Sequence, residues 1–264
     1  MTRAFREKRS LTGTQSRDRT LAILGFHKIG EPAPNGWETW FYIPEATFAG
    51  YLSYLQEHDW TVIDLEGFLG SLERPWSLPE RAALLTFDDG YRSMRTVALP
   101  WLLRFGYPAV FFVSTDFIGG RNTFDPAEPE EAICDWDDLC ELERRGVSVQ
   151  SHAASHRPFS ELDLVEQEEE LRQSKSTLEA RLGKRIEVFS YPYGDDGMSS
   201  YPYGDDVTSS PILLRVRQAL KRAGYRAACL YGGGPNRLPA ADPYRLTRLA
   251  MGPDTDLHAD LEQR

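Results

Sequence analysis

Ala82-Ala83-Leu84-Leu85-Thr86-Phe87-Asp88-Asp89-Gly90 is the stretch on which the reading of this chain turns. Its first six residues are almost wholly apolar, the pattern of a strand buried on both faces, and the run stops on two carboxylates and a glycine. In α/β folds, polar residues leaving a buried strand at its carboxyl end are the ones that build sites. A second string behaves alike: the run Val147 to Gln150 leads into Ser151-His152-Ala153-Ala154-Ser155-His156. An Asp and two His presented in this way can hold one divalent cation while the adjacent Asp serves as a base. That combination points to metal-assisted hydrolysis.

Working outward, short apolar runs alternate with amphipathic ones. Leu21 to Phe26, Ala109 to Ser114, Ile186 to Tyr191, Ala227 to Leu230 and Leu246 to Met251 read as further strands, with Trp60 to Ile63 as one more. Helix ends are marked between them. Asp135 caps a helix from Trp136 to Arg145 that Gly146 stops, Asp163 caps an acidic helix running to Leu182 and Gly183, and Pro211 opens one that ends at Gly224. Seven or eight β-then-α units imply a parallel sheet, and over ~230 residues a closed barrel is favoured over an open sheet. In the acidic helix, Glu166 to Glu170 reads as a solvated face, with Leu164, Val165, Leu171, Leu178 and Leu182 turned inward.

Ser-Tyr-Pro-Tyr-Gly-Asp-Asp occurs at residues 190–196 and again at 200–206. A tandem duplication accounts for it, since removing either copy leaves a strand, a loop and a helix without a gap. The first copy continues directly from a strand, so its Tyr193 is placed in the pocket; the second lengthens a surface loop, which chain statistics tolerate cheaply.

At 264 residues and 41% hydrophobic, the chain suits one barrel-sized domain. Its formal charge of -10 argues against non-specific nucleic-acid binding. Residues 1–20 hold six basic side chains against two acidic ones, or +4, which leaves -14 for the remainder. This basic leader is expected to be disordered, with a single domain over 21–264. It lacks the apolar stretch of a secretory signal, and no run approaches the ~18 apolar residues of a transmembrane helix, so a cytoplasmic location is expected. Cys134, Cys140 and Cys229 show no paired spacing and read as packed thiols.

His152 and His156 are four apart, which puts both rings on one side of a tight turn or loop; two surface histidines also fit that spacing. Asp88 and Asp89, on an extended backbone, point to opposite sides, so one can ligate a cation and the other take a proton. Gly90 offers a positive φ, and a plain turn also fits Asp-Asp-Gly.

With these residues in hand, the chain resembles the polysaccharide deacetylase family, carbohydrate esterase family 4, which carries the NodB-type homology domain. Residues 86–90, 151–156 and 190–194 resemble the family's first three motifs, and the likeness runs from about residue 21 to 252. The resemblance implies a distorted (β/α)7 barrel with one divalent metal, most often zinc with cobalt, nickel or manganese as substitutes, held by Asp89, His152 and His156. It implies Asp88 as the base that deprotonates the metal's water, and a backbone N–H at Tyr193 that stabilises the oxyanion. The substrate it implies is an acetylated carbohydrate containing N-acetylhexosamine, with O-acetyl groups as an alternative, in an envelope or extracellular polysaccharide pathway.

Two positions depart from the family's common pattern. The late Leu-x-His motif is missing from Tyr244-Arg245-Leu246-Thr247-Arg248-Leu249, and Ser190 stands where an Arg is usual. Both departures are shared by a subgroup resembling the bacterial poly-N-acetylglucosamine deacetylases, whose acid is a His just after the first strand, here His27. The residues agree, since His27 ends an apolar strand and an imidazole with a pKa near ~6.5 suits proton donation. Arg248 is the candidate to orient Asp88, guanidinium forks being matched to carboxylates, against a surface or structural role. His258, in an Asp-rich tail, reads as solvent-exposed, and His58 as a helix C-terminal residue. Tyr91, Trp136 and Tyr193 are candidates to line a sugar groove, or to be core aromatics. Two further readings are a non-catalytic, metal-containing carbohydrate-binding relative and a facial-triad iron oxygenase. Oxygenase sites usually read His-x-Asp with a distant His, unlike this order.

Overall fold

The computed structural model describes residues 19–194 and 211–262. The second Ser-Tyr-Pro-Tyr-Gly-Asp-Asp copy, and the leader up to residue 18, lie outside the described residues.

The apolar run that opened the reading is β5 (Ala82–Phe87), buried at every position. Its neighbours are β1 (Arg19–Phe26) on one side and β6 (Ala109–Val113) on the other, both parallel to it. From β6 the sheet continues through β7 (Val147–Ser151), β8 (Val188–Ser190) and β9 (Ala227–Cys229), every step parallel. Two short segments complete this part. β4 (Thr61–Val62) pairs with β5, and β10 (Asn236–Leu238) runs antiparallel along the start of β1. The leader was expected to reach residue 20, but Arg19 and Thr20 already pair with Leu238 and Arg237. The strand begins two residues early because β10 supplies ladder partners there.

The sheet curls back on itself through the last strand region. Leu246 bonds to Ala228 and Leu230 beside β9, and β11 (Leu249–Ala250) pairs with β1. The strand expected over Leu246 to Met251 is thus split. Arg248 bonds to Gly232 and Thr247 to Asn236, which pulls the middle of the segment away from both neighbours. Seven parallel strands, β1, β5, β6, β7, β8, β9 and β11, form the distorted barrel that was expected.

Helices cover the outside of the sheet. They are α1 (Glu45–Glu57), α2 (Leu65–Glu73), α3 (Leu99–Phe105), α4 (Trp136–Arg144), α5 (Leu164–Leu182) and α6 (Pro211–Ala223), with a short α7 (Leu257–Glu262) last. Alternate residues of one strand feed two cores. Leu21 and Ile23 of β1 pack with Leu84, Phe112 and Cys229, whereas Ala22, Leu24 and Phe26 join the layer under the helices. Asp135 and Asp163 cap their helices as read, each in a reciprocal box with Asp138 or Glu166. The inward face of α5 differs from the expectation. Leu171 and Leu178 are buried, but Leu164 and Val165 are exposed, and Gln167 occupies the inner position of the first turn. Its Nε2 donates to the carbonyls of Phe159 and Leu162, and these bonds hold inward a residue that was read as part of the solvated face. Among the described residues no helix is long and apolar enough to cross a membrane.

Candidate active site

The carboxyl ends of the parallel strands bring the two strings together. Asp88 and Asp89 follow β5, His152 and His156 follow β7, Tyr193 follows β8, His27 follows β1, and Arg248 immediately precedes β11. Asp89 Oδ1 lies 3.2 Å from His152 Nε2 and 3.0 Å from His156 Nε2. One ligand atom from each of the three falls within 4.8 Å of the other two, and all three residues are buried. The donor set suits a borderline divalent cation. His152 is also oriented for that task. Its Nδ1 lies 2.7 Å from the Ser190 carbonyl, which can only accept, so Nδ1 carries a hydrogen and Nε2 is the ring atom left to face Asp89 and a cation. Burial pushes the Asp89 carboxyl up, but His156 and His152 outweigh it and hold the group well below the usual carboxylate range.

Backbone geometry is unusual at this point. Asp89, Ala153, His156 and Tyr193 all have positive φ (72°, 63°, 59° and 58°), and Gly90 has 88°. An extended course through Asp88 and Asp89 was expected; instead the chain turns at Asp89 itself. Left-handed conformations at non-glycine residues cost on the order of 1–3 kcal/mol each and persist only where their surroundings impose them. Part of that imposition comes from Glu170 of α5. Its carboxylate accepts from the Ala154 N–H at 2.7 Å, the Ser155 N–H at 2.8 Å and the Ser155 hydroxyl at 2.5 Å. The residue read as part of a solvated acidic face therefore clamps the loop between the two histidines. A charge run shows how many carboxylates a helix carries but not which of them meets a distant loop.

Asp88 sits in a buried network. Arg248, buried to 0% exposure, donates from Nη1 to Oδ1 at 2.7 Å and from Nη2 to Oδ2 at 2.6 Å. The guanidinium also donates to Thr86 Oγ1, Ser190 Oγ and the Leu230 carbonyl, so the fork is held on every side. Ser190, short where an Arg was usual, leaves room for this arrangement and donates to Asp88 Oδ2 at 3.3 Å. Burial raises the Asp88 carboxyl, but Arg248 and then His152 prevail, and the net direction is downward. Asp88 is thus ionised across the neutral range.

His27 lies on the same cavity wall, its Nε2 3.9 Å from Asp89 Oδ2 and its ring 4.8 Å from those of Phe41 and Tyr231. Burial lowers its pKa, against the opposing pull of Asp89, so the imidazole is neutral at rest rather than near the unperturbed value expected from sequence. The Tyr193 ring packs 4.8 Å from His156 and its hydroxyl donates to the Phe124 carbonyl. Gly194 must be glycine here, because a Cβ would come within 2.7 Å of the Tyr231 nitrogen at a φ of +67°. Gly194→Ala is expected to lower stability by about 2–4 kcal/mol in a urea titration; an unchanged midpoint would contradict the close approach.

Tyr91 lines the cavity as anticipated, but Trp136 does not. It opens α4, under the Arg181 guanidinium at 4.6 Å. His58 and His258 lie against Tyr54, away from the cavity. The His58 ring donates to the Tyr54 carbonyl at the end of α1, as a helix C-terminal residue was expected to do. Lys28, Phe41, Asp125, Glu128 and Tyr231 also line the cavity and were not singled out from the sequence. Apart from Lys28, which opens a two-residue strand, they come from connecting segments, and only the adjacency of Lys28 to His27 offered a signal.

The family profile described as Polysaccharide deacetylase matches residues 77–228. A curated relative, the putative polysaccharide deacetylase YxkH of Bacillus subtilis, is 24% identical over 174 residues. That alignment takes in 66% of this chain and 57% of the relative, so the chain spans little more than half of that protein's length. Among solved structures, Streptococcus pyogenes deacetylase PplD in complex with acetate superposes with a TM-score of 0.72 at 20% identity, covering 92% of this chain and 97% of that one. A de-N-acetylase from Aggregatibacter actinomycetemcomitans superposes at 0.71 with 18% identity, covering 91% and 98%. At these identities the structures speak for the fold.

Proposed function

Because the chain belongs to the polysaccharide deacetylase family, we propose that it hydrolyses acetyl groups from an acetylated carbohydrate, with N-acetylhexosamine units as its substrate. The observation that carries this reading is the convergence of Asp89, His152 and His156 on one point beside an ionised, arginine-held Asp88. The three converging residues would hold a divalent cation, zinc in this proposal. When bound, the cation supplies Lewis acidity, polarising a carbonyl and lowering the pKa of water.

The remaining work belongs to the chain. Asp88 accepts the proton of the attacking water, and Arg248 keeps its carboxylate charged and aimed. The Tyr193 backbone N–H donates to the oxygen that gains negative charge as the carbonyl carbon becomes tetrahedral. The C–N bond then breaks, and the leaving nitrogen needs a proton. His27 delivers it. Burial pushes the Tyr193 phenol up to about 12 and those of Tyr91 and Tyr231 higher still, which makes the phenols of the cavity poor donors. The products are acetate and a free amino sugar.

Acetate release from N-acetylglucosamine oligomers by the metal-loaded protein tests the substrate. Release supports the reading, and silence across a panel of acetylated sugars would overturn it. Two variants probe the roles. His27→Ala is expected to lose about 10²- to 10⁴-fold on the amide, whose leaving nitrogen must be protonated, and far less on 4-nitrophenyl acetate, whose leaving group needs no acid. Equal losses on both would remove His27 from that role. Glu170→Ala is expected to weaken zinc binding roughly 10- to 100-fold in a chelator competition, because the loop carrying His156 loses its clamp. Unchanged affinity would show that the loop holds its shape without it.

A further inference from the structure

We propose that the Lys28–Glu128 ion pair is a specificity-determining element that binds ring hydroxyls of the sugar; this rests on the carbohydrate reading above. Lys28 opens β2 (Lys28–Ile29), directly after His27, and both it and Glu128 line the cavity that holds Asp88, Asp89 and the two histidines. The Lys28 side chain is 2% exposed and that of Glu128 11%. Nζ donates to Glu128 Oε2 at 2.5 Å, and it lies 4.6 and 4.9 Å from the ring centres of Tyr42 and Tyr91. Thr39 Oγ1 donates to the same Oε2 at 2.7 Å.

A buried pair of this kind costs desolvation, and an apolar pair of similar volume would hold the two segments together at least as well. The segments are in any case tied elsewhere. Glu131 accepts from both the Tyr42 hydroxyl and the Ala33 N–H. Charge in the cavity wall is therefore better explained by what enters the cavity. Both bonds to Glu128 land on Oε2, so acceptor capacity remains on Oε1, and an ammonium carries three N–H donors. An ammonium beside a carboxylate offers a donor and an acceptor a few ångströms apart, which is the complement of two neighbouring hydroxyls on a pyranose ring. Phe41, Tyr91 and Tyr231 supply aromatic surface for its C–H face in the same cavity. Because two hydroxyls must be met together, the pair should distinguish sugars differing in the orientation of one of them.

The test compares the metal-loaded full chain with Glu128→Gln and Lys28→Met on three substrates: N-acetylglucosamine oligomers, N-acetylgalactosamine oligomers, and 4-nitrophenyl acetate, which has no hydroxyls. Both variants are expected to lose on the order of 10- to 100-fold in kcat/KM on the preferred sugar, mainly through KM, and to narrow its ratio over the epimer. Hydrolysis of 4-nitrophenyl acetate should stay within about twofold, since the reacting groups are untouched. Proportional losses on all three substrates would make the pair a structural tie, and no loss on any would leave it without a role; either overturns the proposal. If the wild type cleaves 4-nitrophenyl acetate but no sugar, the deacetylase reading fails separately. Calorimetric binding of the N-acetylglucosamine pentamer then decides the pair, weakening in the variants supporting it and equal or undetectable binding overturning it.

Discussion

Asp88→Asn is expected to release acetate about 10²- to 10⁴-fold more slowly than the wild type, with the loss in kcat. The amide keeps the shape of the side chain, including an oxygen that can accept from Arg248, but it cannot take a proton from water. The same change leaves Arg248 facing a neutral partner at 0% exposure, so the variant's urea midpoint has to be measured beside its rate. A folded variant with the wild-type rate would exclude Asp88 as the base.

The largest stability effect is expected at the other end of that pair. Arg248→Met should lower unfolding free energy by about 3–5 kcal/mol at neutral pH, because it strands a buried carboxylate that now has two short bonds from the fork. The sign of its pH dependence follows from Asp88. In the wild type the folded carboxyl titrates below its ordinary value, so its stabilising contribution is complete above ~4 and is lost as pH falls through the lower folded value. Without Arg248, burial prevails and the folded value rises, so the group destabilises the fold once the pH exceeds its unfolded value. The gap between wild type and variant should therefore be widest near neutrality and should close as the pH is lowered. A gap independent of pH would mean that Arg248 stabilises by packing alone. In that variant the loss of activity should also be greater at pH 6 than at pH 8.

What could be read before the structure was local. β5, β6 and β7 are continuous apolar runs, and the caps at Asp135 and Asp163 sit next to the helices they start, so each is decided by neighbours in sequence. The Asp-His-His set and the pairing of Arg248 with Asp88 also emerged, the first because its residues lie at strand ends, the second because Ser190 left a charge in need of a partner. Features made by distant segments were hidden. Glu170 looked like its acidic neighbours until the loop after β7 folded onto it. Lys28 and Glu128 are 100 residues apart and lie in no motif. The left-handed turn at Asp89 was obscured by Gly90, the residue that ordinarily explains a turn. Leu164 and Val165 were misplaced because one helical turn contains too few residues to fix its inward face while a polar Gln167 fills it.

The central claim is that Asp89, His152 and His156 hold the cation on which acetate release depends. The most direct test strips the full chain with a chelator and titrates zinc back while following acetate release from N-acetylglucosamine oligomers, alongside His152→Ala. The account predicts that release vanishes on stripping, returns in proportion to zinc up to one equivalent per chain, and does not return in His152→Ala at that stoichiometry. Release that persists in the stripped protein, or that zinc restores equally well in His152→Ala, would contradict it.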